Sequence, residues 1–207
     1  MTVITAVTKG NDIAIACDTQ TSNGTLKYTA DYKTNHNKLL TYGESVIAFS
    51  GTVAIKQIFE DLFAKSAPAP LTTRHEIFHW ILSQQDMLKN TYYLKPDVGN
   101  NKGQVAETNW ISGLIANPHG IFSLGAYREV TEYSKFWAIG SGGNFALGAM
   151  EILYAQDLTA SEIAEAGALT ATKFNSGCGA PVYVKTMKKA KKTKQKQTQK
   201  RTRKKKS

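Results

Sequence analysis

Two short runs of alternating residues near the start of the chain constrain its fold most strongly. In residues 3–7 and in residues 13–17 the types of side chain alternate with a period of two, which is typical of β-strands. Gly10 and Asn11 lie between the runs, and this pair is typical of a two-residue hairpin turn. The sequence therefore predicts an antiparallel β-hairpin in which paired residue numbers sum to about 21.

This register places Thr2 opposite Asp18 or Thr19. Met1 is commonly removed when a small residue follows it, so we expect Thr2 to carry a free α-amine. An α-amine with a pKa of ~7.7–8.0 can take the proton of the Thr2 hydroxyl, directly or through one water. A neighbouring lysine would lower the amine pKa, and Asp18 would hold that lysine. Lys33 and Lys38 are both candidates, and we prefer Lys38 because it directly precedes a predicted strand.

The rest of the chain predicts strands and helices in separate blocks. Capping boxes at Thr73–Glu76 and Thr159–Glu162 begin two helices, and an apolar stripe from Ile55 to Phe63 predicts another. Strands are predicted at 39–40, 45–49, 110–115, 121–124, 136–139 and 181–184, helices from 52, at 73–89, at 144–154 and at 159–174, and loops at 19–37, with a short ribbon, and at 95–107. This order favours an α+β fold built in layers over a doubly wound parallel sheet.

The formal net charge of +10 arises from the end of the chain. Residues 188–207 contain 12 Lys or Arg and no Asp or Glu, which leaves 14 basic and 16 acidic residues in 1–187. The prediction is one domain at 1–187 followed by a basic, disordered tail at 188–207 that can hold nucleic acid or an acidic surface weakly.

Composition limits the classes of protein to be considered. An apolar content of 42% and a charged content of 20% are typical of a soluble globular domain. No run approaches the ~18–20 apolar residues of a membrane span, no secretory signal is evident, and two cysteines cannot form a disulfide framework. We expect a cytoplasmic protein without membrane contact.

Five segments, taken in order, resemble the proteasome β-subunit pattern. They are Thr2, Ile-Ala-Cys-Asp at 15–18, Lys-Leu-Leu at 38–40, Val-Ile-Ala-Phe-Ser-Gly at 46–51 and Phe-Trp-Ala-Ile-Gly-Ser-Gly-Gly at 136–143. The chain is most similar to the betaproteobacterial proteasome homologue group, through residues 42–45, 114–122 and 145–150. The resemblance covers residues 2 to about 186 and excludes the tail.

The resemblance implies an N-terminal-nucleophile hydrolase with a four-layer αββα sandwich. It implies a threonine-type endopeptidase that forms an acyl-enzyme inside stacked rings of identical subunits, acting on peptides or unfolded proteins. By position, Thr2 is nucleophile and base, and Asp18 and Lys38 tune and orient it. Ser141 contacts the Thr2 amine, the Ala48 backbone N–H is the oxyanion donor, and Thr21 and Val46 line a modest apolar substrate pocket.

The sequence departs from the family pattern in two places. The interval from Asp18 to Lys38 is longer than in the common β-subunit pattern, which Lys33 would fit. Asn175 stands where the family has an acid that orients the threonine amine, and Cys178 replaces a hydroxyl. An amide still forms hydrogen bonds but carries no charge, so we expect weaker activity or a different support for the amine.

Other motifs have simpler interpretations. His75-Glu76-Ile77-Phe78-His79 matches the zinc-peptidase helix motif, but Glu76 already belongs to a capping box, and only His119 and Glu107 could add a third ligand. Gly140-Ser141-Gly142 favours close packing at a strand-to-helix turn over phosphate binding, and Cys17 favours a packed thiol over a nucleophile. We expect no metal and no cofactor.

An alternative hypothesis assumes the same fold with weak or no peptidase activity. The chain would then be a weak or inactive ring-forming homologue whose basic tail binds an acidic partner or nucleic acid. The sequence does not indicate the ring size or whether an ATPase partner exists.

Overall fold

The structure is a computed structural model that describes residues 1–94, 107–108 and 111–191. Its strands are β1 Ile4–Lys9, β2 Asp12–Asp18, β3 Thr21–Asn23, β4 Leu26–Tyr28, β5 Leu40–Tyr42, β6 Ser45–Ser50, β7 Ser112–Asn117, β8 Gly120–Leu124, β9 Val130–Tyr133, β10 Phe136–Ile139 and β11 Val182–Lys188. Its α-helices are α1 Val53–Lys65, α2 Arg74–Ser83, α3 Gln85–Asn90, α4 Gly143–Tyr154 and α5 Ala160–Phe174, with a short 3-10 helix at Ala30–Tyr32. Residues 95–106 of the loop predicted at 95–107, the start of the predicted strand at 110 and residues 192–207 of the predicted tail lie outside the described residues.

The predicted hairpin forms with the predicted register. β1 pairs with β2 so that Ile4 faces Cys17 and Lys9 faces Asp12. Gly10 has a φ of 58°, a left-handed value that favours glycine and closes the tight turn. The hairpin register therefore brings the residues before Ile4 to the same end of the sheet as Asp18.

Two antiparallel sheets form the centre of the molecule. The first has the strand order β10-β1-β2-β11, and the second has the order β5-β6-β7-β8-β9. A buried apolar layer packs between them, with Ile4, Ile15, Val46, Ala48 and Leu114 among its members. Both faces of the central strands are buried, which explains why these strands are apolar on both sides.

Helices cover the outer face of each sheet. α1, α2 and α3 pack on the second sheet through an aromatic-rich cluster that includes Phe59 and Trp80. α4 and α5 pack on the first sheet mainly through small side chains such as Ala146 and Ala168. The order helix, sheet, sheet, helix confirms the expected α+β fold with four αββα layers.

One predicted helix and one edge strand differ from the sequence-based prediction. The helix expected to run to residue 89 is divided at Gln84, because the Ser83 and Gln84 side chains donate to the Trp80 carbonyl and compete with the helical ladder. β9 was not predicted. It is a short edge strand that pairs with β8.

The last strand runs slightly beyond the predicted domain boundary at residue 187. Lys188 pairs with Asp12 in the sheet, and the Lys189 backbone donates to the Asn11 carbonyl at 2.9 Å. The Ala190 N–H then donates to the Pro118 carbonyl at 2.7 Å. Residues 189–190 therefore lie at the Gly10 end of the hairpin. Thr2 lies at the other end of β1, whose six residues span about 20 Å. The disorder predicted for the tail stays a prediction.

No helix in the described ranges has both the length and the apolar character needed to cross a membrane.

Candidate active site

The hairpin register places Thr2 against Asp18. The Asp18 backbone N–H donates to the Val3 carbonyl at 3.2 Å, which fixes the beginning of the chain to the end of β2. The Thr2 hydroxyl then donates to Asp18 Oδ1 at 2.9 Å. Only 3% of Thr2 is exposed, so its hydroxyl lies in a largely dry environment where electrostatic interactions are strong.

Asp18 is fully buried and accepts five hydrogen bonds. Its Oδ1 accepts from Thr2 Oγ1 at 2.9 Å, from the Val3 N–H at 3.0 Å and from Lys38 Nζ at 2.6 Å. Its Oδ2 accepts from the backbone N–H groups of Gln20 and Gly179, each at 3.1 Å. These donors fix both carboxylate oxygens and stabilise the negative charge in the interior.

Of the two candidate lysines, Lys38 is the one in contact with Thr2. Its Nζ donates to Thr2 Oγ1, to Asp18 Oδ1 at 2.6 Å and to the Gln20 carbonyl at 2.7 Å, so all three ammonium protons are used. Lys33 instead donates to the Thr19 carbonyl at 2.9 Å and to Thr21 Oγ1 at 2.8 Å. The Thr2 hydroxyl oxygen therefore lies between a carboxylate and an ammonium group.

The turn between β10 and α4 packs against the Thr2 carbonyl. Gly142 N–H donates to this oxygen at 3.2 Å, and Ser141 Oγ lies 3.5 Å from it. Gly140 has a φ of 91°, and a Cβ added there would lie 2.3 Å from the Thr2 carbonyl oxygen. Close packing thus explains the glycines. Ser141 contacts the Thr2 carbonyl, whereas the resemblance had implied contact with the Thr2 amine.

Asn175 holds Ser141 from the end of α5. Its Nδ2 donates to the Ser141 carbonyl at 2.8 Å, and its Oδ1 accepts from Ser141 Oγ at 3.3 Å. The same oxygen accepts from the Gly177 N–H at 2.9 Å. The amide therefore makes the directional contacts of an orienting residue without supplying a negative charge.

A cavity of about 520 Å³ opens beside Thr2. Thr21 lines it, as predicted, but Val46 and Ala48 do not, and both side chains pack in the layer between the two sheets. The cavity wall at the end of β6 is formed by Phe49, Gly51 and Thr52. The roles of Val46 as a pocket residue and of the Ala48 N–H as an oxyanion donor therefore stay predictions, and neither residue borders this cavity.

Both cysteines are buried thiols. Burial raises the pKa of Cys17 to about 11, and it raises the pKa of Cys178 to about 11 as well. A thiol with such a pKa is almost entirely protonated at neutral pH and is a poor nucleophile. Cys17 is fully buried in the layer between the sheets, in agreement with the interpretation of a packed thiol.

In the zinc-peptidase motif on α2, the Glu76 carboxylate caps the start of its own helix. Glu76 Oε2 accepts from the Thr72 and Thr73 backbone N–H groups at 2.9 and 3.0 Å, and the Thr72 hydroxyl chiefly holds the Glu76 pKa below its ordinary value. His75 and His79 lie side by side, with ring centroids 4.2 Å apart. Across the described ranges, no three His, Cys, Asp or Glu side chains form a group that could hold a metal ion.

Sequence reasoning missed the backbone donors to Asp18 and the contact of Met1. A Cβ added to Gly177 would lie 2.3 Å from the Met1 Cβ, so Met1 packs directly against that glycine. The glycines at 177 and 179 were visible in the sequence, but their role depends on how the end of α5 approaches the chain start. No local sequence pattern indicates that the end of α5 lies beside the start of the chain.

The fold and sequence are similar to solved structures of Thiobacillus denitrificans BPH. The complex of that protein with epoxomicin is 39% identical, with a TM-score of 0.85 and coverage of 91% of this chain and 100% of that chain. A second structure of the same protein is 38% identical, with a TM-score of 0.84 and coverage of 91% and 98%. Eukaryotic HslV from Trypanosoma brucei has the same fold at 18% identity, a TM-score of 0.59 and coverage of 90% and 99%. No family model and no curated protein matches the chain.

Proposed function

Because the chain belongs to the proteasome-like family of N-terminal-nucleophile hydrolases, in the group of the bacterial proteasome homologue BPH, we propose that it is a threonine peptidase. The observation that carries this proposal is the position of Thr2 Oγ1 between Asp18 and Lys38. A hydroxyl oxygen held against an ammonium group is stabilised as negative charge develops on it. The presence of epoxomicin in the BPH complex supports a reactive threonine in this family member as well.

Removal of Met1 is the first requirement of the mechanism. It exposes the Thr2 α-amine, which takes the hydroxyl proton as Oγ1 attacks the carbonyl carbon of a peptide bond. The protonated amine then gives this proton to the leaving nitrogen, and the acyl group remains on Oγ1 as an ester. Water, deprotonated by the same amine, hydrolyses the ester and restores the free hydroxyl.

The other site residues orient this single reacting residue. Lys38 stabilises the oxygen of Thr2 and remains in place because Asp18 holds it at 2.6 Å. Ser141 contacts the Thr2 carbonyl, and Asn175 in turn holds Ser141. A backbone oxyanion donor from β6 would belong to the Phe49–Thr52 part of the cavity wall rather than to Ala48.

Assembly into rings of identical subunits is part of the proposal. Large apolar side chains remain exposed on α4 and α5, including Ile152 and Phe174, each 68% exposed, and Phe145, which stacks on Phe174 with ring centroids 5.9 Å apart. Exposed apolar surface of this kind is typical of a surface covered by another subunit. Phe174→Glu should lower the mass measured by light scattering, whereas Lys173→Glu, its neighbour, should not.

The test combines intact mass with covalent labelling. Wild-type protein should lack Met1 and gain one epoxomicin adduct, and peptide mapping should locate the adduct on Thr2. Thr2→Ala should keep the assembly but give no adduct and no peptide cleavage, while Thr2→Ser, which retains a hydroxyl, should keep both. A protein that lacks Met1, assembles and yet gives no adduct would favour the inactive ring-forming alternative.

A further inference from the structure

The cavity beside Thr2 is lined by cations and by no carboxylate among the described residues. Its charged lining residues are Lys33, Lys38 and Lys56, and the remaining lining residues are neutral or are His36. Of the two residues predicted to line a substrate pocket, Thr21 lines this cavity and Val46 does not. The cavity therefore has apolar wall residues such as Phe49 and Val53, but it also carries positive charge that the sequence had not led us to expect.

The three lysines differ in how their charge is balanced. Lys38 pairs with Asp18 at 2.6 Å, and Lys56 pairs with Glu60 at 2.9 Å. Lys33 forms no ion pair with any described residue, and its two hydrogen-bond partners are the neutral Thr19 carbonyl and the Thr21 hydroxyl. An ammonium group has three protons, so one proton of Lys33 remains for another acceptor.

The surroundings of Lys33 make an unbalanced charge costly. Its side chain is half-buried, and burial, followed by the charge of Lys38, lowers the pKa of Lys33, while the Asp18 charge acts in the opposite direction without reversing the shift. His36 does not supply a counter-charge. Its Nδ1 donates to the Lys33 carbonyl at 2.5 Å, and its Nε2 bonds the Tyr183 hydroxyl at 2.6 Å, so both ring nitrogens are occupied.

Lys33 and Thr2 line the same cavity. Lys38 Nζ binds the Gln20 carbonyl, whereas Lys33 Nζ bridges the Thr19 carbonyl and the Thr21 hydroxyl. The two ammonium groups therefore bind the same segment, whose successive residues are about 3.3 Å apart in extended form. A residue whose carbonyl is at Thr2 Oγ1 can direct its side chain along this segment to Lys33.

We propose that Lys33 is a specificity-determining residue that binds the carboxylate of a Glu or Asp side chain immediately before the cleaved bond. The inference rests on the proposed peptidase function. The substrate carboxylate supplies the missing counter-charge and accepts the remaining proton of Lys33. A neutral side chain of the same size leaves the half-buried ammonium group unbalanced.

The experiment compares peptides that differ only in that residue. For wild-type protein, kcat/KM should be about tenfold or more higher for Glu than for Gln, which corresponds to one charge-assisted contact. Lys33→Gln should reduce this ratio to about one, and Lys33→Arg, which keeps the charge, should retain a clear preference for Glu. Lys27→Gln is the matched control, because Lys27 is exposed on β4 and does not line the cavity.

Two results would overturn the inference while leaving the peptidase proposal intact. One is a wild-type protein that forms the epoxomicin adduct but cleaves Gln or Leu peptides as fast as Glu peptides. The other is a preference for Glu that is equal in wild-type protein and Lys33→Gln. Absence of both the adduct and any cleavage would instead overturn the peptidase function itself.

Discussion

Replacement of Asp18 by Asn tests the central interaction of the site with almost no change of shape. In the native protein the carboxylate balances the Lys38 ammonium, whose side chain is only 14% exposed, and accepts five hydrogen bonds. In the Asn variant, one of the two carboxylate oxygens is replaced by an NH₂ group. The NH₂ group must face donors in either orientation, so at least two of the native contacts become unfavourable.

The expected decrease in the free energy of unfolding has two contributions. Removing one partner of a buried ion pair destabilises a protein by about 3–5 kcal/mol, because the remaining charge is buried without compensation. Each backbone donor left without an acceptor costs a further ~1–3 kcal/mol, although relaxation around the site will offset part of this. We expect a loss of about 4 kcal/mol in the free energy of unfolding, which is a large fraction of the ~5–15 kcal/mol of a typical domain. Release of Lys38 from Thr2 should lower peptide cleavage by about 100-fold or more.

Equilibrium unfolding in urea at one fixed protein concentration is the appropriate assay, because assembly makes stability concentration-dependent. Asp12→Asn is the matched control. It lies at the opposite end of β2 and pairs with Lys188, whose side chain is 74% exposed, so the change should cost less than about 1 kcal/mol. Equal destabilisation by the two substitutions, or full cleavage activity in the Asp18 variant, would refute the reasoning.

Three further predictions test other parts of the structure. Gly140→Ala should lower stability by at least ~1–2 kcal/mol and reduce cleavage, because its Cβ would meet the Thr2 carbonyl oxygen at 2.3 Å and its φ is 91°; unchanged urea unfolding would contradict this. Since burial raises the pKa of Cys17 and Cys178 to about 11, iodoacetamide at pH 8 should leave both unmodified in the native protein but modify both in urea. Loss of cleavage by native alkylation would argue against a threonine nucleophile. Deletion of residues 192–207 should leave kcat/KM for a short peptide unchanged and abolish any salt-dependent nucleic-acid binding, which gel shift or fluorescence anisotropy would measure.

The hairpin could be predicted from the sequence because its signals are local. Alternation sets the strand faces and the turn at Gly10 sets the register, so these residues alone place Asp18 opposite the chain start. The two capping boxes likewise begin α2 and α5 at the predicted residues. In each case neighbouring residues contain the whole signal.

The identity of the lysine at the site depends on non-local packing. The path between Thr19 and Lys38 includes the β3–β4 ribbon and a short 3-10 helix, and only this path decides which ammonium group reaches Thr2. Lys33 and Lys38 both end beside the same extended segment, so spacing alone could not separate their roles.

The side of β6 that faces the cavity was also beyond local reasoning. Val46 and Ala48 face the layer between the sheets, while Ile47 and Phe49 face the helices, and all four are buried. A strand that is apolar on both faces has no alternation to show which residue borders a cavity.

The hydrogen bond from Gly179 to Asp18 has a consequence for synthesis of the protein. The Asp18 carboxylate receives this donor, and Asp18 itself pairs with Val182, so both contacts come from segments that follow Asp18 by about 160 residues in the chain. A nascent chain that carries Thr2 and Lys38 but not yet Gly179 therefore lacks one of the two backbone donors to Asp18 Oδ2. The set of hydrogen bonds to Asp18 is therefore complete only after the residues around Gly179 have packed against the end of β2.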